Sequence, residues 1–218
     1  MYTRCVDQSG KETRTYHSRI RQRQAEETRR RILVAARALF ERQGYAVTTL
    51  EAIAERADVS PKTIAAVFGS KPALLAQVIN PEAFNRRFQQ LLIELRATTD
   101  PAQRLSLVAQ ITRQAYEPLV SSLDLLRTAA ALSPDLAQLA QAVEARRRQN
   151  QARLIAALHD QGVLHPGLSS EEATDVLWAL TSYEVYRLLV VQQHWAAVRY
   201  ETWLVHVLSE QLLSPGDV

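Results

Sequence analysis

The groups in this 218-residue chain best suited to ligate a metal or attack a substrate are few and scattered: His17, His159, His165, His194, His206 and Cys5. No two histidines stand four apart, the helical spacing that puts two imidazoles on one metal. His159 and His165 flank a glycine loop but have no third ligand nearby. There is no glycine-rich loop of the kind that cradles phosphates, and no nucleophile elbow. The expectation is a protein that is not an enzyme and uses no metal or cofactor. What remains is ionic chemistry, and it is lopsided. Residues 1–71 hold 14 Lys/Arg against 8 Asp/Glu, and residues 72–218 hold 12 against 15. A basic front end on a mildly acidic remainder suits a polyanion partner confined to one end.

The stretch that must position those cations is Thr48–Lys71, TTLEAIAERADVSPKTIAAVFGSK. It reads as two short helices joined by a tight turn at Ala57-Asp58-Val59. The first opens at Thr48 or Thr49, and Thr48 with Glu51 fits a capping box. Leu50, Ile53, Ala54 and Ala57 form its apolar stripe. Ser60 is an N-cap for the second helix and Pro61 takes its first position, where a missing N–H costs nothing. Ile64, Val67 and Phe68 are its expected buried side; Lys62, Thr63 and Ala66 are left facing outward. Gly69 ends it. This is a helix-turn-helix whose second helix, with small and basic outward groups, suits a DNA major groove. The plainer reading is an ordinary corner between two helices.

The flanks distinguish the two. Upstream, Ile32-Leu33-Val34-Ala35-Ala36-Arg37-Ala38-Leu39-Phe40 leads to Gly44-Tyr45-Ala46-Val47-Thr48-Thr49; downstream come Ile53-Ala54, Val59-Ser60, Thr63-Ile64, Phe68, Ser70-Lys71 and Leu74-Leu75. Over residues 28–80 this pattern resembles the N-terminal DNA-binding domain of the TetR family of transcriptional repressors. The resemblance implies an all-α protein: a three-helix head with a helix-turn-helix, a larger helical ligand-binding and dimerisation body, and a homodimer. It also implies that Lys71, beside the free amides opening the next helix, contacts a DNA phosphate. The second helix departs from the family. Ala65 stands where a phosphate-binding tyrosine is common, and Ala66 and Val67 stand where bulkier readers often sit. These three offer apolar contact, for instance to a thymine methyl, but no side-chain hydrogen bond to a base edge.

Six glycines, eight prolines and a dominance of Leu, Ala, Arg, Gln and Glu suit helices. A lone cysteine forms no internal disulfide. No apolar run reaches the ~18 residues of a membrane span, and no signal-peptide core follows Met1, so the expected location is cytoplasmic. Residues 1–27 read as a basic flexible arm, either a solvated tail or a minor-groove arm using Arg19, Arg21 and Arg23. A first helix is predicted at about 25–43, capped by Gly44, with Tyr45 and Val47 plugging the head's core. The DNA-binding domain is placed at 28–72 and the body at 73–218. A connecting helix should run from Lys71 to about Asn80, with Pro81 breaking or kinking it and helix resuming to about Thr98. Helices follow at about 101–117, 119–132, 134–161, 170–193 and 196–213. The middle of the 134–161 helix, Glu144–Gln151, reads as a solvated face.

Within the body, Phe88, Tyr116, Leu123, Arg127, Trp178, Tyr183 and Tyr186 are the candidate ligand contacts. Arg127, in an apolar stretch, is expected to point inward, toward Glu184 or an anionic ligand. The 170–193 helix is apolar nearly all round, so it should be covered by something besides its own domain. With the last helix it resembles the family's four-helix dimer interface, which places Leu189, Trp203, Leu204, Val207 and Leu208 between subunits. The reading is a homodimeric repressor that binds a palindromic double-stranded DNA operator and is released by a small-molecule effector. The alternative is a helical ligand-binding or co-regulator protein with weak or no DNA binding, which Ala65–Val67 favour.

Overall fold

The structure, a computed structural model, describes residues 9–80, 86–131 and 133–214, with side chains in the first helix described from Arg21 onward. The described residues are helical except for turns and one isolated antiparallel bridge, Leu164 to Leu213. They divide into two compact units, Met1–Val78 and Ile79–Val218. The boundary falls after the connecting helix rather than at residue 72.

In the first unit, α1 spans Ser9–Gln43, α2 Leu50–Ala57, α3 Pro61–Phe68 and α4 Lys71–Val78. Helix α1 starts far before residue 25, so residues 9–27 are helix rather than a disordered arm. The physical reason is propensity. Arg, Gln, Glu and Ala are good helix formers, and elongating a helix already nucleated by the packed segment after Arg31 is cheap compared with starting one. Low apolar content marked this stretch as unpacked, which is a different property from non-helical.

Ile32, Leu33, Ala36, Leu39 and Phe40 are buried along one face of α1 and meet the buried sides of α2 and α4. Gly44 ends α1 with φ +87, and its N–H donates to Phe40 O at 2.9 Å. The two adjacent threonines then divide the work. Thr49 is the N-cap of α2, accepting from Ala52 N at 3.1 Å. Thr48 is fully buried; its hydroxyl donates to Gly44 O at 2.7 Å and accepts from Gln43 Nε2 at 3.2 Å. The Thr48–Glu51 capping box is therefore not formed. Asp58 turns the chain in the left-handed region at φ +52, and Ser60 caps α3 by accepting from Thr63 N at 3.1 Å. Ile64 and Phe68 are the buried side of α3. Val67 and Val47, expected inside, are exposed. On α3, Ile64 and Phe68 are four apart and already fill the inward stripe, which leaves Val67 beside it.

In the second unit, α5 is Arg86–Ala97, α6 Pro101–Tyr116, α7 Val120–Ala130, α8 Pro134–Asp160, α9 Ser170–Leu180, α10 Tyr183–Tyr186 and α11 Ala197–Leu212. Asp100 caps α6 by accepting from Gln103 N at 3.0 Å. A 3-10 turn at Glu117–Leu119 carries Pro118 between α6 and α7. Ser169 and Glu172 form a reciprocal capping box at the start of α9. Helix α11 packs on α6 and α9, α8 on α7 and α9, and α5 on α6. Leu105, Ile155, Leu177, Tyr186, Tyr200 and Leu204 lie at the centre of the core.

The expected single helix at 170–193 is broken. It ends at Leu180, restarts at Ser182 for the one turn of α10, and passes into a π-helical turn at Arg187–Gln192. Two hydroxyls make the break. Thr181 Oγ1 donates back to Leu177 O at 2.6 Å, and Ser182 Oγ accepts from Val185 N at 3.3 Å as a new N-cap. Such local bonds compete with the helix ladder. The middle of α8 is correspondingly not a solvated face throughout. Arg147 donates to Trp178 O at 2.9 Å and to Thr181 Oγ1 at 3.1 Å, and Gln151 Nε2 donates to Thr181 Oγ1 at 2.6 Å.

Tyr116, Tyr183, Tyr186 and Tyr200 pack edge to face or tilted, with successive ring centroids 4.9–5.6 Å apart. Burial raises the pKa of each above the ordinary tyrosine value, that of Tyr186 to about 12. The folded state thus keeps protons that the unfolded chain releases. The stability this represents is complete below pH ~10 and is lost as pH rises through the folded values. Alkaline titration should show helical circular dichroism holding to about pH 10 and collapsing above it, with most tyrosinate absorbance appearing in the same transition. Full tyrosinate absorbance before any loss of helix would show that the cluster is open to solvent.

Candidate nucleic-acid interface and body cluster

The outward side of α3 is made by Pro61, Lys62, Ala65, Ala66 and Val67, all exposed, with Thr63 half-buried at its edge. Two caps hold this surface in place. Ser60 anchors the start of α3, and its hydroxyl also pairs with Thr63 Oγ1 at 2.9 Å. Gly69, at φ +77, ends the helix and donates to Ala65 O at 2.9 Å. Thr49, exposed at the start of α2, uses its oxygen as a cap acceptor, so its O–H remains able to donate outward.

Lys71 is tied down rather than free in solvent. Its ammonium donates to Ala46 O at 3.3 Å and lies 4.3 Å from the centre of the Tyr45 ring. Desolvation holds its pKa below the ordinary lysine value. An ammonium has three donors, so this geometry aims the charge while leaving donors for a phosphate. Ser70 Oγ accepts from Ala73 N at 3.2 Å and caps α4 beside it.

Thr48 does not belong to this surface: its buried hydroxyl is committed to the turn between α1 and α2. Arg21 and Arg23 are exposed on α1, ahead of the packed part of the helix, and the side chain of Arg19 lies outside the described set. Further along α1, Arg30 pairs with Glu27 at 2.7 Å and Arg29 donates to Gln77 Oε1 at 2.9 Å while stacking on Phe68. Not every arginine of the basic front is therefore available to a partner.

In the body, Tyr116, Tyr183 and Tyr186 come together, and Tyr200, which the sequence marked only as an apolar position, completes the cluster. Leu123 is half-buried against the same core. Trp178 adjoins it through Arg147, whose guanidinium lies 5.1 Å from the indole; the indole N–H donates to Glu144 Oε2 at 3.1 Å. Phe88 is buried on α5. Arg127 does not point inward. It is exposed and pairs with Asp124 at 3.7 Å. Leu126 takes the inward position, and the next residue on a helix lies about 100° round the axis.

Of the proposed interface residues, Leu204 and Leu208 are fully buried inside the protomer. Their i, i+4 stripe on α11 faces its own core and has no area left for a second subunit. Leu189, Trp203 and Val207 are half-buried. The large apolar groups most exposed nearby are Leu188 and Val198, at 51% and 62%. Among the described residues no three ligating side chains gather where a metal could be held, and no helix is long and apolar enough to cross a membrane.

Residues 32–78 match the family described as bacterial regulatory proteins, tetR family. No curated protein sequence matches the chain significantly. Solved structures share the fold. The SmeT–triclosan complex is 22% identical, with 88% of this chain and 94% of that one covered at a TM-score of 0.70. NalD of Pseudomonas aeruginosa, the secondary repressor of the MexAB-OprM multidrug efflux pump, is 21% identical over 87% and 98% of the two chains, TM-score 0.66. FadR of Bacillus subtilis in complex with stearoyl-CoA is 16% identical over 82% and 96%, TM-score 0.62.

Two substitutions separate cap from buried tie. Ser60→Ala should cost about 1 kcal/mol by removing an N-cap. Thr48→Val should cost on the order of 1–3 kcal/mol by leaving Gly44 O without its donor. Chemical denaturation followed by circular dichroism measures both. A Thr48→Val protein as stable as the wild type would mean that this hydroxyl does not hold the turn.

Proposed function

We propose that this chain, a DNA-binding transcriptional regulator of the TetR family, is a ligand-responsive repressor acting as a homodimer on a palindromic operator. The observation that carries the DNA-binding part is the capped α3. It is a rigid helix with Lys62 and small groups outward, flanked by the aimed ammonium of Lys71, in the segment that matches the family. Thr49 and Ser60 with Thr63 supply hydroxyls for the sugar–phosphate backbone, which positions the helix. Ala65, Ala66 and Val67 supply only apolar contact to base edges, so reading falls more on DNA shape and on the basic N-terminal extension. Arg21 and Arg23 sit on that extension as part of a helix.

Two recognition helices must meet grooves about 34–36 Å apart, one turn of B-DNA, so operator binding requires two chains. Exposed Leu188 and Val198 with half-buried Trp203 and Val207 favour pairing near α11 and the π-helical turn. An obligate interface of this type buries on the order of 2,000 Å² or more. The structures of similar fold solved with triclosan and stearoyl-CoA favour a body that takes small molecules, and the repressor NalD favours repression over activation. Effector binding then alters the spacing of the two heads through the chain segment after Val78. A protein with this role works in the cytoplasm, where the operator lies. The second reading, a co-regulator with little DNA affinity, draws on the apolar outward face of α3.

A salt-dependent binding assay on DNA flanking the gene decides between them. The repressor reading expects saturable binding to one fragment with a steep salt slope, and Lys71→Ala should reduce that slope by about one unit at all sequences alike. Binding that is weak and equal on every fragment would support the co-regulator. Deleting residues 1–24 should lower affinity for that fragment more than for random DNA; equal losses would make the extension an electrostatic tether only. For assembly, the double variant Leu188→Glu, Val198→Glu should sediment as a monomer and lose operator binding while remaining helical. A wild-type protein that sediments as a monomer near 24.6 kDa at micromolar concentration would end the dimer proposal.

A further inference from the structure

Arginine and lysine carry the same charge but not the same reactivity. A guanidinium stays protonated and does not attack an acyl carbon, whereas an ammonium can give up a proton and become a nucleophile. This chain divides the two sharply. Of its 26 basic side chains only Lys11, Lys62 and Lys71 are amines, and residues 72–218 contain none. The side chain of Lys11 lies outside the described set. The other two both stand on the candidate nucleic-acid interface, Lys62 exposed on α3 and Lys71 at the start of α4. Chemistry that acts on side-chain amines therefore reaches this surface and leaves every cation of the body untouched.

Neither amine holds the fold together through charge. Among the described residues the cations of the ion pairs are arginines and histidines, and neither Lys62 nor Lys71 joins one. Lys71 differs from Lys62 in its setting. It is half-buried, its Nζ donates to Ala46 O at 3.3 Å, and it lies 4.3 Å from the centre of the Tyr45 ring. The ring attracts the cation, yet desolvation holds the pKa of Lys71 below the ordinary lysine value. A larger share of this group is therefore unprotonated near neutral pH. The carbonyl accepts from an amine as well as from an ammonium, so the long side chain stays pinned when the proton is lost. An amine that gives one N–H to a carbonyl keeps its lone pair off that carbonyl, and this bond lies at the exposed surface. A nucleophile held in place has less freedom to lose on reaction than one on a free stem.

We propose that Lys71 is an acylation site, modified by small activated acyl donors (an acyl phosphate or an acyl thioester), and that its acylation weakens DNA binding. The unprotonated Nζ attacks the acyl carbon. A C–N bond forms as the C–O bond to phosphate, or the C–S bond to the thiol, breaks. Phosphate or thiolate leaves with the bonding electron pair, and the surplus amine proton goes to solvent. The product is a neutral amide. Its N–H still donates to Ala46 O, so the tie to the α1–α2 loop survives, while the charge aimed at a phosphate is gone. The acylation itself stands apart from the regulator reading above; its effect on DNA rests on that reading.

The probes are acetyl phosphate and acetyl-coenzyme A, each incubated separately with the full chain at mildly alkaline pH. Peptide mass spectrometry follows Lys71 and Lys62 in the same sample, and the faster donor names the source of the acyl group. Lys71 should be acetylated about threefold or more faster than Lys62, because each unit of pKa lowering raises the unprotonated fraction about tenfold. In the urea-unfolded chain the two should react alike. Wild-type protein acetylated at Lys71 should lose about tenfold in DNA affinity at moderate salt, with a salt slope lower by about one unit. Lys71→Arg treated for the same time should lose little further affinity. Equal rates at Lys71 and Lys62 in the folded protein would overturn the proposal, as would the same loss of affinity on treating Lys71→Arg. Full acetylation of Lys71 with DNA affinity unchanged would overturn it too. A wild type that binds no DNA counts against the regulator reading alone, and the comparison of rates then still decides whether Lys71 is the preferred acyl acceptor.

Discussion

A helix interrupted inside a hydrophobic core leaves carbonyl groups that must find donors elsewhere, and the body of this protein is arranged around that requirement. Thr181 and Ser182 end α9 and restart the chain as α10. The freed carbonyls of Trp178 and Thr181 are taken by Arg147 of α8 and Tyr116 of α6. A polar arginine on a long helix is thereby held half-buried, and its charge is matched by Glu144. The cost of an unsatisfied buried backbone group makes these side chains obligatory partners. They join α6, α8 and α9 at one point, with α11 contributing Tyr200 against the same cluster.

The head answers the same accounting with shorter pieces. Helices of eight residues are marginal alone, and each end of α2 and α3 is closed by a named group: Thr49 and Asp58 for one, Ser60 and Gly69 for the other. Thr48 holds the preceding turn from inside. With the ends fixed and Ile53, Ala54, Ile64 and Phe68 buried, the outward face of α3 is held rigidly although its own side chains are too small to hold themselves. Lys71 is aimed in the same way, by a carbonyl and an aromatic ring of the α1–α2 loop. A preorganised cation and a capped helix lose little entropy on meeting a phosphate backbone.

Much of this was legible in the residues themselves. Ser60-Pro61, Asp100-Pro101, Gly44 and Gly69 mark helix ends through local chemistry: a short polar cap, a ring that needs no N–H, a residue that tolerates positive φ. The all-α class, the helix-turn-helix and most helix limits follow from such signals and from the 3.6-residue period. Other positions were decided by tertiary contacts. Thr48 and Thr49 are chemically the same, and only the path of the turn decides which one caps and which one is buried. Arg127 stands among apolar neighbours and Arg147 in a polar run, yet the first is exposed and the second is half-buried. Leu204 and Leu208 form an apolar stripe that fits a subunit interface and a protomer core equally well.

The sequence by itself determined the fold class, the head with its two capped helices, and the polarity of charge between the ends of the chain, because caps, periodicity and charge are properties of residues a few positions apart. Only the tertiary structure decided which side chains share a neighbourhood. The capture of the Trp178 carbonyl by Arg147 and of the Thr181 carbonyl by Tyr116 brings together groups 31 and 65 residues apart. Such contacts are chosen by the packing of whole helices, and the free energy of a buried hydrogen bond depends on where its partner has been carried.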